Sequence, residues 1–379
     1  MNFMLYLFQL GHQPHISVAE IEAVFSRLSI GCKTIKQAGQ NLLIEIQTKL
    51  DCGKLIQLLG GTVKISEKII EDKNAISSLV QHLNKLYSTG KIHFSLSGKN
   101  AKSAALEIKK GLKKIGRSVR YIEPKNTATI LHNKLVEKEA DLAVVGSSIF
   151  VTRAIQPFEE FSERDYGRPK SDSASGMLPP KLARIMINLS GSKQGEIILD
   201  PFCGSGTILM EAAFMGYTNF VGSDIAGKAI QDTGHNLEWI KNNFSLPSLP
   251  YRLLNAGAAE LGERLDEKSI DFIVTEPYLG GALKGNESRD KLSAQAKELK
   301  ELYLGVFMVF HKILKAGGSA VFIIPRFRHQ SGWITIDCAD EIKKTGFEII
   351  PLSKKERFLL YWRTKQRLGR EIWKFKKIQ

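Results

Sequence analysis

Cysteine and long hydrophobic runs are scarce in this sequence. The chain has 4 cysteines among 379 residues, and none of them forms a pair with the spacing of metal ligands. So few thiols do not make a disulfide framework, which favours a reducing cytoplasm. No apolar run approaches the roughly 20 residues of a membrane span. The apolar residues 1–10 lack a basic leader and a cleavage site, so they predict a first strand. We therefore expect a cytoplasmic protein with no metal and no membrane partner.

Acidic residues are outnumbered by basic residues. Lys and Arg total 54 and Asp and Glu total 39, which gives a formal net charge of +15. Such a surplus attracts polyanions, and it favours nucleic acid over a membrane surface. With 43% hydrophobic residues, the chain has enough apolar material for two or three domains of ordinary size. The composition therefore indicates a globular protein with a nucleic acid partner.

The order of predicted elements divides the chain into four parts. Residues 1–72 follow a β-α-β-α-β order that is typical of a small ferredoxin-like α+β domain. A second small α+β unit covers residues 73–155. Residues 156–180 are polar, charged and contain proline and glycine, so they have the composition of a linker. In residues 181–379, strands and helices alternate, which predicts an α/β domain with a mostly parallel sheet.

The stretch Asp200-Pro201-Phe202-Cys203-Gly204-Ser205-Gly206-Thr207 gives the strongest functional signal. It directly follows the apolar run 197–199, and an apolar helix pattern begins after it. In an open α/β sheet, a strand, a turn and a helix in this order place a ligand at the carboxyl end of the strand. Gly204 and Gly206 can adopt backbone angles closed to other residues, and they let a ligand approach the main chain closely.

A second predicted strand, residues 220–224, also ends in a carboxylate. Asp224 can accept hydrogen bonds from both hydroxyls of a ribose, so the predicted ligand is a nucleoside derivative. The dinucleotide fingerprint requires a third glycine, and Leu209 occupies that position. The string at residues 200–207 instead resembles the S-adenosylmethionine motif of methyltransferases that act on amino groups of nucleic acid bases. A turn without a ligand is the alternative, but it does not explain why these acids and glycines occur together.

Two residues near this motif are weaker candidates. Asn255 lies where related enzymes often have an Asp-Ala pair that contacts adenine, and its amide can still hydrogen-bond an exocyclic amine. Cys203 has no histidine partner nearby in sequence, so we interpret it as a small loop residue and not as a nucleophile. The predicted cofactor-binding residues are Asp200, Phe202, Cys203, Gly204, Gly206, Thr207, Asp224 and Asn255.

The predicted strand at residues 271–274 is followed by Thr275 and then by Glu276-Pro277-Tyr278. This sequence resembles the Asp/Asn-Pro-Pro-Tyr/Phe motif of base amino-methyltransferases. An exocyclic base amine is a poor nucleophile, because its lone pair is delocalised into the ring. A carboxylate and a backbone carbonyl that accept its N–H groups turn the lone pair towards the methyl donor, and an aromatic ring stacks on the extruded base. Glu276, Pro277 and Tyr278 are therefore the predicted catalytic residues, and they act by positioning.

This loop departs from the family motif in two ways. Glu276 stands where the family has Asp or Asn, and one proline is missing. Either Tyr278 replaces the second proline and Leu279 the aromatic residue, or one position is deleted and Tyr278 is the aromatic residue. We favour the second alternative, because Gly280 and Gly281 can absorb the shift. An ordinary strand end with a packed Tyr278 is the non-catalytic alternative.

A basic helix is predicted at residues 101–115, in the second small unit. Glu107 is the single acid among residues 102–120, which are rich in lysine and arginine. A charge run is often only a solvated helix face, but this imbalance favours contacts with phosphates. Such contacts supply affinity and register, not base identity. The predicted RNA-binding residues are Lys109, Lys110, Lys113, Lys114 and Arg117.

The resemblance extends to most of the chain. Residues 6–12, 17–24 and 177–189 are similar to the corresponding parts of THUMP-domain tRNA guanine-N2-methyltransferases. The resemblance implies a ferredoxin-like domain, then a THUMP domain that holds the tRNA acceptor end, and then a Rossmann-like methyltransferase domain. It also implies S-adenosylmethionine as cofactor and methylation of guanine N2 at tRNA position 10.

Two alternatives to a tRNA methyltransferase stay open at this point. In the first, the same chemistry acts on ribosomal RNA or on another base. In the second, the chain is an RNA-binding protein whose altered loop at residues 276–278 no longer transfers methyl groups. Cofactor binding without methyl transfer to any RNA would favour the second alternative. The sequence specifies neither an activator subunit nor an oligomeric state.

Overall fold

The computed structural model describes residues 3–171, 177–248, 250–354, 356–364 and 366–378. They form two compact units. The first unit comprises the described residues of Met1–Pro14 and Leu28–Pro157, and the second those of His15–Arg27 and Phe158–Gln379. The second unit thus includes nearly all of helix α1 (Pro14–Arg27). In the described parts of the chain, no helix is both long enough and apolar enough to cross a membrane.

The first unit is built on a mostly antiparallel sheet. Its strands are β1 (Met4–Leu10), β2 (Cys32–Ala38), β3 (Asn41–Ile46), β4 (Thr62–Glu71), β5 (Ile92–Gly98), β6 (Val119–Tyr121), β7 (Asp141–Val145) and β8 (Ser148–Ile155). Its helices are α2 (Cys52–Leu58), α3 (Ala75–Leu86), α4 (Ala101–Lys114) and α5 (Thr127–His132). The strand order is β2-β3-β1-β4-β8-β7-β5-β6. Strand β3 illustrates the pattern, because Leu42, Ile44 and Ile46 alternate with more exposed residues and bury one face.

One continuous sheet contains strands from both of the predicted small domains. Strand β4 pairs with β8 in antiparallel orientation. The buried carboxylate of Asp141 on β7 accepts hydrogen bonds from Lys64 Nζ at 2.9 Å and from the hydroxyls of Ser95 and Thr152. This network connects β4, β5, β7 and β8. The predicted boundary between residues 72 and 73, and the THUMP assignment of residues 73–155, therefore stay predictions.

The second unit is a layered α/β domain. Its strands are β9 (Ile198–Asp200), β10 (Phe220–Asp224), β11 (Tyr251–Asn255), β12 (Ile270–Thr275), β13 (Leu314–His329), β14 (Gly332–Thr335), β15 (Phe347–Ile349), β16 (Leu359–Tyr361) and β17 (Leu368–Lys377). Besides α1, its helices are α6 (Phe158–Ser162), α7 (Pro180–Ser190), α8 (Thr207–Phe214), α9 (Gly227–Asn243), α10 (Leu261–Arg264), α11 (Arg289–Ile313) and α12 (Ala339–Lys344). A π-helical turn, Glu163–Gly167, follows α6, and a 3-10 turn, Ala258–Glu260, precedes α10.

The strand order of this unit creates a crevice at one edge of its sheet. The order is β11-β10-β9-β12-β13-β17-β15, with β14 paired to β13 and β16 paired to β17. The strands from β11 to β13 are parallel, and β17 is antiparallel to its neighbours. The chain runs outward from β9 to β11 and then returns to place β12 on the other side of β9. Such a reversal opens a ligand site at the carboxyl ends of the strands.

Both faces of this sheet are covered by apolar helix surfaces. On one face, Phe307 and Phe310 of α11 pack against Phe322 of β13 and Phe375 of β17. The other face buries β9, β12 and β13 under α7 and α8. Burial on both faces explains why these strands read as continuous apolar runs in the sequence.

Helix α1 packs into the core of the second unit. Ile16 and Ala19 join the apolar cluster formed with α7 and α8. Asn188 Nδ2 of α7 donates a hydrogen bond to Glu20 at 2.8 Å, although the two residues are 168 positions apart. Arg27 donates in turn to Asn188 Oδ1 at 2.9 Å. An early helix thus completes a core whose other members come much later in the sequence.

The segment 156–180, for which composition predicts a linker, is partly helical. Helix α6 and the π-helical turn lie within it. Arg164 and Arg168 of this segment are buried, with 0% and 4% of their surface exposed. Residues 172–176 lie outside the described residues. The predicted limits of this segment stay a prediction.

Candidate cofactor site and catalytic loop

The loop between β9 and α8 contains glycines in a conformation that other residues avoid. Gly204 has a φ of 53° and Gly206 a φ of 85°. A Cβ atom at Gly206 would lie 2.9 Å from the side chain of Thr233, so the site tolerates only glycine. Thr233 also donates a hydrogen bond to the Gly204 carbonyl at 2.8 Å. The loop therefore presents bare backbone at the crevice.

Asp224, at the end of β10, is hydrogen-bonded directly to the loop between β9 and α8. Its Oδ2 accepts the Gly204 N–H at 3.0 Å, and its Oδ1 accepts the Ala226 N–H at 2.9 Å. The carboxylate is half-buried, and each oxygen retains capacity for a further donor. The neighbouring Ile225 has 78% of its surface exposed. A carboxylate beside an exposed apolar side chain offers a surface for the two halves of a nucleoside.

Asp200, at the end of β9, is almost completely buried. Thr275 Oγ1 at the end of β12 donates a hydrogen bond to its carboxylate at 2.7 Å, and the Phe202 N–H donates at 3.2 Å. Burial raises the pKa of Asp200 to about 7, although both hydrogen bonds favour the charged form. Asp200 thus connects the ends of two adjacent strands beneath the loop.

Cys203, Phe202 and Thr207 support the loop through side-chain contacts. Burial raises the pKa of the Cys203 thiol far above its ordinary value, so the sulfur stays protonated and is a poor nucleophile. The Phe202 ring packs against the apolar core. Thr207 Oγ1 accepts a hydrogen bond from Arg168 Nη1 at 2.6 Å. These contacts agree with the interpretation of Cys203 as a small loop residue.

Asn255, at the end of β11, uses its amide nitrogen to hold the turn after β10. Its Nδ2 donates to the carbonyl oxygens of Asp224 at 3.1 Å and Ile225 at 3.0 Å. The side chain itself is exposed. Asn255 therefore lies beside the candidate nucleoside surface, with Oδ1 as an acceptor.

Glu276, directly after β12, is held by an arginine from another strand. Arg370 Nε of β17 lies 2.5 Å from Glu276 Oε1, and both side chains are largely buried. Burial raises the pKa of Glu276, and the positive charge of Arg370 opposes that rise. The extra methylene of Glu, compared with Asp, lets its carboxylate reach Arg370. Since the ion pair engages Oε1, Oε2 remains as an acceptor.

The two residues after Glu276 have different surroundings. Pro277 is buried, whereas Tyr278 has 58% of its surface exposed. The Tyr278 carbonyl is fixed by the hydroxyl of Tyr303, which donates to it at 2.7 Å. Leu279 packs against the apolar core. This exposure supports the alternative in which Tyr278, and not Leu279, supplies the aromatic ring.

A buried ionic cluster fixes the helix that follows the loop. Glu211 of α8 accepts hydrogen bonds from Arg164 at 2.5 Å and from Arg184 Nε at 2.9 Å. The Arg164 guanidinium lies 4.6 Å from the centre of the Phe161 ring and 4.0 Å from that of Phe214. Breaking a buried pair of this kind typically costs about 3–5 kcal/mol, because one charge is left without compensation. The cluster therefore fixes the π-helical turn on α8.

Two further contacts attach residues 168–170 to the candidate cofactor loop. Besides the bond from Arg168 to Thr207, Asn236 of α9 exchanges hydrogen bonds with the Lys170 backbone at 2.8 and 3.0 Å. Asn236 also donates to the Ser205 carbonyl at 2.8 Å. These polar contacts hold the segment against the loop within the second unit.

The predicted RNA-binding residues all belong to α4 or its exit, in the first unit. Lys110, Lys113 and Lys114 are exposed, and Lys109 is half-buried. The guanidinium of Arg117 donates to the Tyr87 carbonyl at 2.5 Å, so it also has a structural role. Four of the five predicted residues thus present positive charge along one helix.

Several residues of the site escaped the sequence analysis. Arg370 lies 94 positions from Glu276, and nothing in the sequence couples them. In the sequence, Thr233 and Asn236 look like ordinary polar residues of an amphipathic helix. Only the structure shows that they contact the glycine loop. The position of Ile225 could have been predicted from the sequence, because an apolar residue directly after a strand-ending carboxylate is well placed beside a base. No group of three or more His, Cys, Asp or Glu that could hold a metal ion occurs among the residues described.

Comparison with known families identifies the class of the second unit. A family model described as an RMKL-like methyltransferase domain matches residues 168–331, which include Asp200, Asp224 and Glu276. A model described as DNA methylase matches residues 55–233. The predicted methyltransferase class is confirmed for the domain at residues 168–331.

The names of the matched relatives specify a particular reaction, whereas the family model specifies only a class of domain. The tRNA (guanine(10)-N2)-dimethyltransferase of Methanothermobacter thermautotrophicus is 43% identical over 118 residues, which are 31% of this chain and 32% of the relative. The enzyme of the same name from Methanocaldococcus jannaschii is 30% identical over 143 residues, 37% of this chain and 39% of the relative. The chain thus matches only 32% and 39% of the length of these two relatives. The resemblance predicted from the sequence is confirmed.

A solved structure shares the fold. The crystal structure of TrmN from Thermus thermophilus superposes with a TM-score of 0.53 at 17% sequence identity. The superposition covers 99% of this chain and 100% of that chain. The predicted α/β fold class is therefore confirmed.

Proposed function

We propose that this protein is an S-adenosylmethionine-dependent RNA methyltransferase that acts on the N2 amino group of guanine in tRNA. The observation that supports this most strongly is the position of Asp200, Asp224 and Glu276 at the carboxyl ends of three neighbouring strands. The names of the matched relatives support guanine N2 and tRNA as the target. The proposal includes a cytoplasmic location, which the scarcity of cysteine favours.

The residues at the crevice fit S-adenosylmethionine. Asp224 accepts hydrogen bonds from the ribose hydroxyls, while Ile225 packs on the adenine and Asn255 Oδ1 accepts its amine. Gly204, where an added Cβ atom would meet nothing within 4 Å, leaves room for the cofactor against the main chain, and Gly206 leaves room for the side chain of Thr233. When bound, S-adenosylmethionine supplies a methyl group activated by a positively charged sulfur.

The catalytic loop orients the amine of the base. Glu276 Oε2 accepts one N–H of the guanine amine and the Pro277 carbonyl accepts the other, so the nitrogen lone pair points at the methyl group. Tyr278 stacks on the extruded base. Methyl transfer would form the N–CH3 bond and break the bond between the methyl group and the sulfur, which would leave as a neutral thioether. The amine nitrogen would then lose a proton, and Glu276 would accept it. The raised pKa of Glu276 makes it a better proton acceptor than an exposed carboxylate.

Arg370 is a positioning residue in this scheme. Its ion pair with Glu276 Oε1 fixes the rotamer of a long side chain and turns Oε2 towards the base. The positive charge also favours the ionised form of this carboxylate, against the effect of burial on its pKa. Arg370 therefore compensates for the replacement of the shorter family Asp or Asn by Glu.

Methyl transfer to unmodified tRNA transcripts tests the proposed function directly. With labelled S-adenosylmethionine, we expect label in N2-methylguanosine, identified by nucleoside analysis. A transcript with adenosine in place of guanosine 10 should remain unlabelled. Label in ribosomal RNA alone would reassign the substrate. Cofactor binding without label in either RNA would contradict the proposal and favour an RNA-binding protein.

We also propose that α4 supplies phosphate contacts to tRNA. Its exposed lysines lie at spacings of three and four residues, which place several ammonium groups along one side of the helix. Lys102, at the other end of α4, is paired with Glu123 at 2.9 Å. The charge available for phosphates is therefore concentrated at the C-terminal end of α4.

Removing these charges should weaken tRNA binding and flatten its salt dependence. The variant replaces Lys109, Lys110, Lys113 and Lys114 with Ala. Since each phosphate contact contributes roughly 0.7–0.9 to the slope of log K against log salt, we expect the slope to fall by up to about 3. Fluorescence anisotropy of labelled tRNA from low to moderate salt measures this change.

A matched variant separates this local effect from the loss of net charge. It removes four exposed lysines from other elements, Lys33, Lys36, Lys343 and Lys344. We expect a much smaller change in slope for this control. Equal slopes for the two variants would place the phosphate-binding surface outside α4.

A further inference from the structure

A cluster of aromatic and basic side chains lies on the second unit, away from the cofactor loop. It is formed by the β13–β14 hairpin, by the end of β16 with the two residues that follow it, and by the residue that precedes β17. We call it the basic aromatic surface. Its members are Arg328, Trp333, Tyr361, Trp362, Arg363 and Arg367.

Direct contacts join the two segments of this surface. The Arg328 guanidinium lies 5.3 Å from the centre of the Trp333 ring. Trp333 meets Trp362 edge to face, with ring centres 5.4 Å apart. Arg363 lies 5.7 Å from the centre of the Tyr361 ring and donates to its hydroxyl at 2.8 Å. Alternating cations and rings therefore form one patch.

Carboxylates lie near two arginines of this patch, Asp165 near Arg363 and Glu287 near Arg367, but beyond the distance of an ion pair. Arg328, Arg363 and Arg367 are exposed, and across the described ranges no carboxylate lies within salt-bridge distance of any of them. Other exposed arginines of the chain, such as Arg357 with Asp340, do form ion pairs. The aromatic rings of Trp333 and Trp362 are half-buried, so part of each remains accessible. The patch thus combines exposed positive charge with flat apolar faces.

The patch is continuous with the catalytic loop. Arg367 donates to the Leu283 carbonyl at 3.4 Å, in the segment that follows Tyr278. Its own carbonyl accepts the Arg328 N–H at 2.7 Å. Three residues further along β17, Arg370 holds Glu276. A nucleic acid whose target base stacks on Tyr278 would therefore extend its neighbouring nucleotides along this patch.

We infer that the basic aromatic surface binds the unpaired nucleotides next to the target guanosine in single-stranded RNA. Aromatic rings and guanidinium planes stack on bases whatever their sequence, and the arginine charges neutralise phosphates. A double-stranded helix does not offer its base faces, so the surface discriminates in favour of unpaired RNA. This inference rests on the proposed function and adds a second, separate contact region for its substrate.

Replacing Arg328 and Arg363 together with Gln tests the inference. For a short single-stranded RNA, we expect roughly tenfold weaker binding by anisotropy. The slope of log K against log salt should fall by about 1.4, for two single-strand phosphate contacts. In methyl transfer, KM for the RNA substrate should rise about tenfold while kcat at saturating RNA stays the same. The affinity for a blunt RNA duplex should change much less.

The matched control replaces two exposed arginines near the opposite edge of the sheet, Arg252 and Arg264, with Gln. We expect this control to keep the affinity and salt slope of the natural protein. Trp333→Leu should weaken single-stranded RNA binding without changing its salt slope, because it removes a stacking face and no charge. Unchanged single-strand affinity and slope in the Arg328→Gln, Arg363→Gln variant would overturn the inference, as would equal losses for duplex and single strand.

The same measurements keep this inference apart from the proposed function. If no RNA accepts a methyl group but replacing the two arginines still weakens single-stranded RNA binding, the proposed function is wrong and the inference about the basic aromatic surface is supported. If methyl transfer to tRNA proceeds with an unchanged KM in the double variant, the proposed function is supported and RNA binding by the basic aromatic surface is rejected.

Discussion

Glu276→Gln is expected to reduce methyl transfer about 10²- to 10⁴-fold while leaving cofactor affinity unchanged. The change retains the size of the side chain but removes the charge that accepts the proton from the amine, and general bases contribute gains of this order. Single-turnover transfer from labelled S-adenosylmethionine to tRNA measures the chemical step, and equilibrium dialysis measures cofactor binding. Unimpaired transfer would remove Glu276 from the catalytic machinery.

Glu371→Gln is the matched control for Glu276→Gln. Glu371 is also a buried glutamate of the second unit, and it is paired with Arg326. Both substitutions break a buried Glu–Arg pair, so both lower the thermal unfolding temperature. Only the change at Glu276 should affect the single-turnover rate. Equal rate losses in the two variants would indicate a structural effect and not a catalytic one.

The pH dependence of the single-turnover rate tests the positioning role of Arg370. Burial raises the pKa of Glu276 and Arg370 opposes that rise, so in Arg370→Met the pKa moves higher still. The acid limb of the rate profile should then shift to higher pH, and Arg370→Lys should restore it in part. Asp200, Tyr303 and Arg370 are titratable groups that interact electrostatically with Glu276. Because Asp200 titrates near pH 7, the shift between variants, and not the profile itself, reports on Glu276.

Asp224→Ala is expected to weaken S-adenosylmethionine binding by roughly 100-fold or more. Hydrogen bonds to a charged group are each worth about 1.5–3 kcal/mol, and two ribose hydroxyls lose their acceptor. The substitution also releases the N–H groups of Gly204 and Ala226, which loosens the loop. Isothermal titration calorimetry with the cofactor and with S-adenosylhomocysteine measures the loss.

Asp224→Asn separates the two roles of this carboxylate. The amide keeps an acceptor oxygen for one N–H of the loop, but it cannot accept from both hydroxyls and both backbone donors. We expect an affinity between those of the natural protein and Asp224→Ala. Asp266→Ala removes an exposed carboxylate elsewhere in the second unit and should leave affinity unchanged. Full affinity in Asp224→Ala would exclude the ribose contact.

The parts of the site that the sequence predicted are those with local signals. Asp200 and Asp224 follow apolar runs directly, so the strand ends and the glycine loop could be placed from neighbouring residues alone. Glu276 was found in the same way, after the strand that became β12. The parallel sheet then brought these ends together, because parallel strands share one carboxyl edge.

The features that escaped prediction depend on contacts between distant parts of the chain. No local pattern reveals that Arg370 pairs with Glu276, since an arginine in a half-buried strand is unremarkable by itself. Composition suggested a linker at residues 156–180, because the buried Arg164 counts as a polar surface residue until Glu211 and two aromatic rings surround it. The packing of α1 also escaped prediction. Its amphipathic pattern indicates that one face is buried, but not which of the two units buries it.

The membership of α1 in the second unit has a consequence for synthesis. This helix leaves the ribosome early, between β1 and β2 of the first unit, while its partner Asn188 follows Glu20 by 168 residues. At translation rates of about 5–20 residues per second, the delay is roughly 8 to 34 seconds. During that time Ile16 and Ala19 have no core to enter. This helix can therefore reach its native packing only after most of the second unit has been synthesised, so the order of folding cannot follow the order of the sequence.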